Sequence, residues 1–373
     1  MIGITKISKD FYDKMLEEYQ YNRNPYVNYE YIIMDIAREY KLGYIKIDDL
    51  MWFEIDSEKH LSIARGHIYS SILRREDEIR TENIKSELIN GLGINCEDIL
   101  SIEAAGGMTN NNYKVNINGE YYILRMPGVG TSDMISRADE KNNARIGAIL
   151  GLDTEIVYFN EYTGVKVSRF IENAETLNPQ TASYEENMEI VAALLKKLHF
   201  SCLDFENEFN VFREIEKYER LVKEANGKYY DAEYPDVRAR VMALEEELSR
   251  IGKDCYTCHN DTVPENFVKG DNNKTYLIDW EYSGMNDPMW DLAAHSLESG
   301  FSKNEEKEFL SFYFPNGITK EELLRIQIHK ICQDFLWSIW TILKEAKGVS
   351  FGDYGINRYK RAIKLMGELK NYE

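Results

Sequence analysis

Proline is scarce in this sequence, with 7 residues in 373, and no Pro-rich or Gly/Ser-rich linker interrupts it. Any domains should therefore be closely joined. Long apolar runs are also missing: the longest, around 335–343, is far short of the roughly 20 residues needed to span a membrane. The N-terminus has no apolar signal core. Five cysteines, an odd number, in a chain without a signal are typical of a reduced, cytoplasmic protein.

An excess of basic residues is missing as well. The chain has 45 Lys and Arg against 64 Asp and Glu, which gives a net charge of −19. Binding to a phosphate backbone needs a basic surface, so we expect no nucleic-acid partner. An acidic surface suits a cationic small-molecule ligand. Hydrophobic residues make up 43% of the chain, which is enough for a packed core.

One cysteine motif suggests a cofactor that the rest of the chain does not support. Cys255-Tyr-Thr-Cys258-His259 matches the C-x-x-C-H pattern of haem attachment. Haem attachment of that kind requires export, and a zinc site would need a fourth ligand that no second Cys/His pair supplies. We therefore expect neither haem nor zinc here, and assign His259 to the catalytic motif described below.

The hydrophobic pattern predicts a small β-rich lobe followed by a large helical lobe. Strands over 113–117 and 120–126 flank Asn118-Gly119, a strong signal for a two-residue hairpin. In that register Asn112 faces Arg125. The other predicted elements are a helix over 82–92 ended by Gly93, a helix over 137–150, strand over 158–170 and, beyond Tyr184, mostly helix except for strands around 267–279. This order is the outline of a kinase fold.

The strongest catalytic signal is His259-Asn260-Asp261 followed by Asn266. Protein kinases use H-R-D-x-x-x-x-N, in which the Asp lies near the accepting hydroxyl and the Asn binds magnesium. Strands over 267–269 and 275–278 should form a hairpin that brings Asn266 beside Asp279. Two oxygen ligands close to phosphates make a suitable magnesium site. The pattern therefore predicts phosphoryl transfer.

A glycine-rich segment upstream is suited to hold the phosphates. Gly106-Gly107 lies between two predicted strands, and exposed backbone N–H groups there can bind anions. Arg125 should end near this loop, and Glu140 on the following helix could fix its guanidinium as the helix Glu of a protein kinase fixes its Lys. The candidate nucleotide-binding residues are Gly106, Gly107, Thr109, Asn110, Arg125 and Glu140.

From about residue 82 onward the chain resembles the choline kinase branch of the aminoglycoside-phosphotransferase-like kinases. Four motifs carry the resemblance: 106–110, 122–125, 259–266 and 278–293. It implies an α+β, protein-kinase-like bilobal fold with lobes at 81–170 and 171–373, and a cytoplasmic enzyme that uses ATP and Mg²⁺. The resemblance gives the catalytic role to Asp261 and the metal to Asn266 and Asp279, while Asp291 would brace the catalytic loop through His259.

The acceptor can be argued from its chemistry. Choline carries a quaternary ammonium without an N–H, so its site needs aromatic faces and nearby negative charge. Trp337 and Trp340 lie three residues apart on one predicted helix, beside its main apolar stripe. In choline kinases the corresponding Trp pair lines the choline pocket. The resemblance adds Tyr354 as a third aromatic, Glu298 as an acidic neighbour, and we include Tyr282 from the 278–293 motif.

Three alternatives stay open at this stage. Ethanolamine could use the same pocket through its primary ammonium. An aminoglycoside kinase would share Asp261, Asn266 and Asp279 but would need acidic residues in place of the Trp pair. A catalytically silent module fused to a nucleotidyltransferase is opposed by the complete set of catalytic groups. The sequence does not give the oligomeric state.

Residues 1–80 form a separate α/β extension. Gly3–Ser8 and Trp52–Ala64 resemble the C-terminal part of sugar-nucleotide-type nucleotidyltransferases, in which the Asp at the position of Asp56 helps to hold a metal ion. The Gly-rich nucleotide loop of that family has no counterpart here. We interpret the region as a remnant without transferase activity or as a plain α/β extension. Its predicted elements are helices over 11–19, 29–40 and 58–71 and strands over 43–47 and 51–55.

Overall fold

The computed structural model describes residues 8–21, 29–37, 55–106, 110–128, 134–252, 254–271 and 274–369. The chain divides into two compact units, Met1–Glu78 and Ile79–Glu373. All candidate catalytic and binding residues belong to the second unit. Within the described ranges, no helix combines the length and apolar character that crossing a membrane requires.

The first unit is mainly helical in its described part. α1 (Lys9–Tyr21) and α2 (Tyr29–Ile36) each bury two apolar residues four positions apart, which lie on one helix face. The predicted helix over 11–19 is confirmed, and that over 29–40 is confirmed as far as Ile36. The strands predicted over 43–47 and, except for Ile55, over 51–55 lie outside the described residues.

A continuous helical run follows. It consists of α3 (Glu58–Ile63), a π-helical turn (Ala64–Ile68) and α4 (Tyr69–Leu92). The Ser57 side chain caps its start by accepting a hydrogen bond from the backbone N–H of His60. The run ends at Gly93, whose φ of +67° closes the helix as the sequence predicts. The helices predicted over 58–71 and 82–92 are therefore parts of one longer run.

An antiparallel sheet opens the kinase-like part of the second unit. Its strands run in the order β1-β2-β3-β5-β4. The predicted hairpin is confirmed: Asn118 and Gly119 have φ values of +52° and +91°, and Asn112 pairs with Arg125. The strands are β1 (Ile99–Gly106), β2 (Asn111–Ile117), β3 (Glu120–Met126), β4 (Ile156–Phe159) and β5 (Lys166–Arg169).

The single strand predicted over 158–170 is wrong, because two strands and a turn occupy that stretch. The Asn160 side-chain oxygen accepts hydrogen bonds from the backbone N–H groups of Tyr162 and Thr163. This Asx-type turn bends the chain, and Gly164 completes it with a φ of +74°. β4 and β5 are consequently antiparallel neighbours.

The sheet is closed on one face by α4. Ile84 and Leu88 of α4 are almost fully buried and pack with Val115, Leu124 and Val167 of β2, β3 and β5. Burial alternates along β2, whereas in β3 and β5 the polar neighbours Arg125 and Lys166 are buried as well. The packing fixes β3, and with it the direction of Arg125.

The rest of the second unit is mostly helical. α12 carries an unusually long buried stretch and contacts α8, α9, α10 and α13. The helices are α5 (Arg137–Ile149), α6 (Pro179–Ala182), α7 (Glu185–His199), α8 (Val211–Glu224), α9 (Tyr234–Ile251), α10 (Pro288–Glu298), α11 (Lys303–Tyr313), α12 (Lys320–Ala346) and α13 (Tyr354–Glu368). The short strands are β6 (Glu175–Thr176), β7 (Tyr256–Cys258), β8 (Phe267–Lys269), β9 (Thr275–Leu277) and β10 (Gly284–Asn286).

α5 packs tightly against the segment that follows Asp279. Trp280 is fully buried and donates its indole N–H to a side-chain oxygen of Asp153 at 3.0 Å. A Cβ on Gly147 of α5 would lie 2.4 Å from the ring of Trp280. Glycine is therefore required here because the helix and the indole leave no space for a methyl group.

We expect Gly147→Ala to lower the free energy of unfolding by about 1–3 kcal/mol, because the buried indole cannot move aside cheaply. The clash would also shift Asp279, so activity should fall with stability. Urea denaturation checks the first effect. Gly367→Ala in α13 is the matched control, since a Cβ there meets nothing within 4 Å. Equal stability of the two variants would contradict the packing argument.

Candidate active site

A short hairpin brings two of the candidate residues together. β8 and β9 pair antiparallel with Phe267 opposite Leu277. The pairing continues by one residue, since the N–H of Ile278 donates to the carbonyl of Asn266 at 2.9 Å. Asn266 and Asp279 therefore stand side by side at the open end of the hairpin, as the sequence predicts.

Asp261 lies at the same end. The 3₁₀ turn Pro264–Asn266 folds the chain back, so that Asn266 Nδ2 donates to the backbone carbonyl of Asp261 at 2.8 Å and to its Oδ2 at 3.2 Å. Burial raises the pKa of Asp261 well above its usual range, and the nearby carboxylates of Asp279, Glu281 and Glu298 raise it further. The Asp261 carboxylate is therefore more basic than that of an exposed aspartate.

Two residues of the site have unfavourable backbone conformations. Asn260 and Asp279 have φ values of +66° and +69°, in the left-handed region that favours glycine. Asn260 is held by its side chain, which donates to the carbonyl of Tyr282 at 3.0 Å. Residues in such conformations are concentrated at functional sites, where the surrounding structure holds them. Here they flank Asp261 and the predicted metal-binding residues.

Arg125 reaches the site from β3. Its side chain is buried, with Nη1 2.5 Å from Glu140 Oε1 and 3.2 Å from Asp279 Oδ1. Its Nη2 donates to the carbonyl of Gly164 at 3.2 Å. The contact with Glu140 that the sequence suggested is present. One guanidinium therefore links the sheet, α5 and the end of the β8–β9 hairpin.

Sequence reasoning missed the rest of this charge cluster. Arg137 Nη1 lies 2.7 Å from Glu140 and 3.4 Å from Glu281, and Glu281 lies 3.9 Å from Arg125. Lys166 Nζ lies 3.9 Å from Glu140. Burial and the neighbouring Asp279 raise the pKa of Glu281 to about 7. Glu281 could have been noticed, because it follows Asp279 by two residues, but Arg137 and Lys166 are placed by the fold alone.

Asp291 braces the loop through His259, as the resemblance implies, and through Asn260 as well. Its two carboxylate oxygens accept the backbone N–H groups of His259 at 2.8 Å and Asn260 at 2.7 Å. The imidazole of His259 instead bonds through Nε2 to the carbonyl of Ile278 at 2.9 Å. The loop is therefore held through its backbone, and the ring of His259 ties it to the strand end before Asp279.

A buried trio stands behind this loop. Ligand atoms of His199, Cys258 and Asp291 lie within 4.8 Å of one another. His199 bonds to Asp291 at 3.0 Å and to Tyr313 at 2.7 Å. Burial raises the pKa of the Cys258 thiol well above its usual range. The trio thus supports the loop. Within the cysteine motif, Tyr256–Cys258 form β7 and His259 begins the loop that contains Asp261.

The glycine-rich segment is only partly described. Gly106 ends β1 with a φ of +80°, a conformation that glycine adopts without strain. Gly107 and Thr109 lie outside the described residues. Asn110 is buried, and its side-chain oxygen accepts the backbone N–H of Gly128 at 3.4 Å. Asn110 therefore links two loops beside β3.

Three of the predicted acceptor-site residues form one aromatic wall. The rings of Tyr282 and Trp337 meet edge to face, with centroids 5.2 Å apart. Trp337 and Trp340 meet in the same way at 6.2 Å. Phe351 extends the wall by packing on Trp340 at 4.9 Å. Tyr282 follows Asp279 by three residues, so the wall begins beside the catalytic groups.

Glu298 and Tyr354 form a second group, organised by an arginine that the sequence did not suggest. The Arg358 guanidinium forms an ion pair with Glu298 and lies 4.6 Å from the ring centroid of Tyr354. It also pairs with the buried Asp334 at 3.1 Å. Both members of this group interact electrostatically with Asp261. The aromatic wall and this ion-paired group therefore lie in the same region as the Asp261 carboxylate.

The comparisons with known proteins agree with this geometry. Residues 102–363 match the family model described as choline/ethanolamine kinase. The chain is 35% identical to Protein LicA of Haemophilus influenzae over 279 residues, which is 72% of this chain and 81% of that protein.

Solved structures give the same relationship. Choline kinase LicA from Streptococcus pneumoniae is 41% identical and superimposes with a TM-score of 0.69 over 78% of this chain and 99% of that one. A complex of LicA with AMP gives 41% identity and a TM-score of 0.69 over 77% and 98% of the two chains. The fold is thus kinase-like, with a β-rich part followed by a larger helical part.

Proposed function

Because the chain belongs to the choline/ethanolamine kinase family, we propose that it transfers the γ-phosphate of ATP to the hydroxyl of choline and so produces phosphocholine. The observation that supports this most directly is the aromatic wall of Tyr282, Trp337 and Trp340, which begins beside Asp261. The family inferred from the motifs is confirmed for residues 102–363. The nucleotidyltransferase resemblance of residues 1–80 stays a prediction.

The aromatic wall suits a quaternary ammonium. A trimethylated nitrogen offers no hydrogen-bond donor, so its recognition depends on ring faces and on surrounding negative charge. The rings of Trp337 and Trp340 are nearly perpendicular, at 86°, and such an arrangement can contact a rounded cation from two sides. The nearby carboxylates of Asp261, Asp279 and Glu281 contribute negative charge to the region.

Asp261 is the group that would receive the acceptor hydroxyl. Its raised pKa makes the ionised carboxylate a better hydrogen-bond acceptor for an alcohol proton than an exposed aspartate. Phosphoryl transfer through a loose transition state depends mainly on the position of the hydroxyl, and the proton is taken late. Asn266 and the braced backbone of the catalytic loop hold Asp261 in place.

Arg125 and Gly106 are the described residues that would hold the nucleotide phosphates. Arg125 offers a planar guanidinium fixed by Glu140, and guanidinium groups bind phosphate oxygens in a forked geometry. Gly106 leaves the backbone free to approach an anion. We assign Gly107, Thr109 and Asn110 of the same segment to nucleotide binding on the family resemblance.

Asn266 and Asp279 have the donor set of a magnesium site. Each keeps a side-chain oxygen that accepts no hydrogen bond from the described residues, and oxygen ligands are those that Mg²⁺ prefers. When bound, the ion would neutralise charge on the terminal phosphates. Asp279 keeps more than a quarter of its side chain exposed although it pairs with Arg125. That exposure leaves it accessible to a ligand.

Choline is favoured over ethanolamine by the pairing of Glu298. A primary ammonium needs hydrogen-bond acceptors, and Glu298 and Asp334 are both engaged by Arg358. The acceptor region therefore offers ring faces more readily than free carboxylates. For the same reason an aminoglycoside, which carries several amines, fits this region poorly.

The location and domain organisation belong to the same proposal. We infer a cytoplasmic enzyme, because ATP is available there, with no nucleic-acid or membrane partner. We assign the kinase lobes to 81–170 and 171–373 and treat 1–80 as an extension. The division of the chain into Met1–Glu78 and Ile79–Glu373 supports the limit near residue 80, and the family match over 102–363 lies within the two assigned lobes.

A coupled ADP-release assay with Mg-ATP tests the proposed function. Choline, ethanolamine and kanamycin would be compared as acceptors. We expect kcat/KM for choline to be well above that for ethanolamine, with no turnover of kanamycin. Turnover of ethanolamine in preference to choline would overturn the acceptor assignment, and turnover of none of the three would overturn the function.

Truncation of the Trp pair should weaken acceptor binding selectively. We expect Trp337→Ala or Trp340→Ala to raise the KM for choline about tenfold, because each removes a ring face worth roughly 0.5–2 kcal/mol to a bound cation. The KM for ATP should stay within about twofold. Trp337→Phe keeps an aromatic face and serves as the control. Equal increases in both KM values would count against the aromatic wall as the choline site.

A further inference from the structure

Lys344 lies on the face of α12 that carries the aromatic wall. It follows Trp340 by four residues and Trp337 by seven, spacings that place all three side chains on one helix face. Its Nζ is 5.4 Å from the ring centroid of Trp340. The residue is only 7% exposed. A positive charge is thus built into the wall that is proposed to receive the cationic substrate.

Lys344 differs from the other buried cations of the described residues in having no anionic partner. Each of the others pairs with a carboxylate: Arg125, Arg137, Lys166, Arg325, Lys330 and Arg358. No ion pair or hydrogen bond joins the Lys344 ammonium to another described residue. Its Nζ is nevertheless not sealed from solvent, so a ligand can reach it. A buried, unpaired charge is unfavourable unless a ligand completes the site.

A second donor beside it also lacks an acceptor. The indole N–H of Trp340 is buried and has no hydrogen-bond partner among the described residues. Native structures rarely leave such groups unpaired. Two unsatisfied donors, one of them charged, therefore stand one helical turn apart. The indole N–H is sealed from solvent, so the Lys344 ammonium is the donor of the two that an anion can reach.

The surroundings connect Lys344 to the catalytic carboxylates. Glu281 interacts electrostatically with Lys344, and it also contacts Arg137 at 3.4 Å. The ring contacts run from Trp340 through Trp337 to Tyr282, which leads back to Asp279. An anion beside Lys344 would thus lie on the acceptor side of the reaction. The nucleotide phosphates have Arg125 as their own cation.

We propose that Lys344 binds the phosphate of the product, phosphocholine, while the aromatic wall holds its quaternary ammonium. This inference rests on the proposed function. Choline is a cation and phosphocholine carries an added phosphate, so a lysine in the wall repels the first and attracts the second. The residue would act late in the reaction, when the phosphate has reached the acceptor oxygen.

Binding measurements on the full-length protein separate this role from the others. Isothermal titration calorimetry would compare the wild type, Lys344→Met and Lys344→Arg with three probes: choline, phosphocholine and a non-hydrolysable ATP analogue. Met keeps the aliphatic contact with Trp340 and removes the charge, whereas Arg keeps the charge. Thermal melting of each variant reports on folding.

For Lys344→Met we expect the Kd of phosphocholine to rise about 10- to 100-fold, the loss of one charge-assisted contact. The Kd of choline should stay equal or fall, and that of the nucleotide analogue should not change. Lys344→Arg should bind phosphocholine within a few-fold of the wild type. A general structural defect would weaken the binding of both ligands, because both carry the quaternary ammonium. Weaker binding of phosphocholine alone therefore indicates the loss of a contact with its phosphate.

Two outcomes would overturn the inference. Unchanged phosphocholine binding in Lys344→Met would show that the charge does not contact the product. Weakened nucleotide binding with unchanged phosphocholine binding would assign Lys344 to the nucleotide instead. Failure of the wild type to bind choline or phosphocholine would be a different result, because it would refute the acceptor assigned under the proposed function.

Discussion

Replacing Asp261 by Asn should lower kcat about 10²- to 10⁴-fold, the usual contribution of a positioned acid–base group. The amide keeps the size of the side chain but cannot accept the hydroxyl proton. Nucleotide binding should be preserved, because Asp261 contacts Asn266 and no residue of the Arg125–Glu140 pair. The ADP-release assay gives kcat, and titration with a non-hydrolysable ATP analogue gives the Kd.

The same substitution should leave the protein equally stable or more stable. Burial and like charges raise the pKa of Asp261, so its ionised form destabilises the folded state at neutral pH and stability falls as pH rises through the ordinary pKa. Asn removes that charge. Asp204→Asn, at an exposed position outside the helices and strands, is the control and should change neither property. A D261N protein with a tenth or more of wild-type turnover would refute the catalytic assignment.

Replacing Asp279 by Asn should lower kcat about 10²-fold or more, since one charged group facing the transferred phosphate is lost. Asn tolerates the left-handed conformation, with a φ of +69°, better than Ala, so the substitution tests the charge and preserves the backbone. Arg125 should keep its position because Glu140 still pairs with it.

A magnesium titration distinguishes this variant from a simple loss of activity. Because Asp279 is proposed to hold the ion with Asn266, D279N should need several-fold more Mg²⁺ for half-maximal turnover. D261N, measured in parallel, should show the wild-type Mg²⁺ requirement at its reduced rate. An unchanged Mg²⁺ requirement in D279N would remove Asp279 from the proposed metal site.

The parts of the site that the sequence predicts are those fixed by short-range geometry. The pairing of Asn112 with Arg125 follows from a two-residue hairpin, whose register has no freedom once the turn is known. The approach of Asn266 to Asp279 follows from the β8–β9 hairpin in the same way. The residues that determine a turn lie within a few positions of one another, so the hairpin they form can be predicted from the sequence.

Long-range pairing could not be predicted from the sequence. Arg358 lies 60 residues from Glu298, and nothing in either segment marks the other as its partner. His199 and Asp291 meet because α7 and α10 pack beside β7. Arg137 lies close to Glu140 and Glu281 only because α5 packs against Trp280. Each of these contacts depends on how helices pack, and the pattern of a single sequence does not specify that.

The unexpected side-chain roles have a common physical origin. The sequence indicated that Asp291 braces the loop through His259, and the structure shows that backbone N–H groups of His259 and Asn260 make the contact. Every residue except proline carries a backbone N–H donor. The sequence therefore does not indicate which of these donors a given carboxylate will bind. The turn at Asn160 was missed for a related reason, because its hydrogen bonds are also donated by backbone N–H groups.

The ion pairs of Arg358 have a consequence for synthesis of the protein. Gly106, on the phosphate side, precedes Arg358 by some 250 residues, and Arg358 on α13 fixes Glu298 and Asp334 on the acceptor side. A ribosome therefore completes the elements around Arg125 long before the acceptor region can form. Premature termination after α12 would release a polypeptide that keeps the phosphate-binding residues but leaves Asp334 and Glu298 without their arginine.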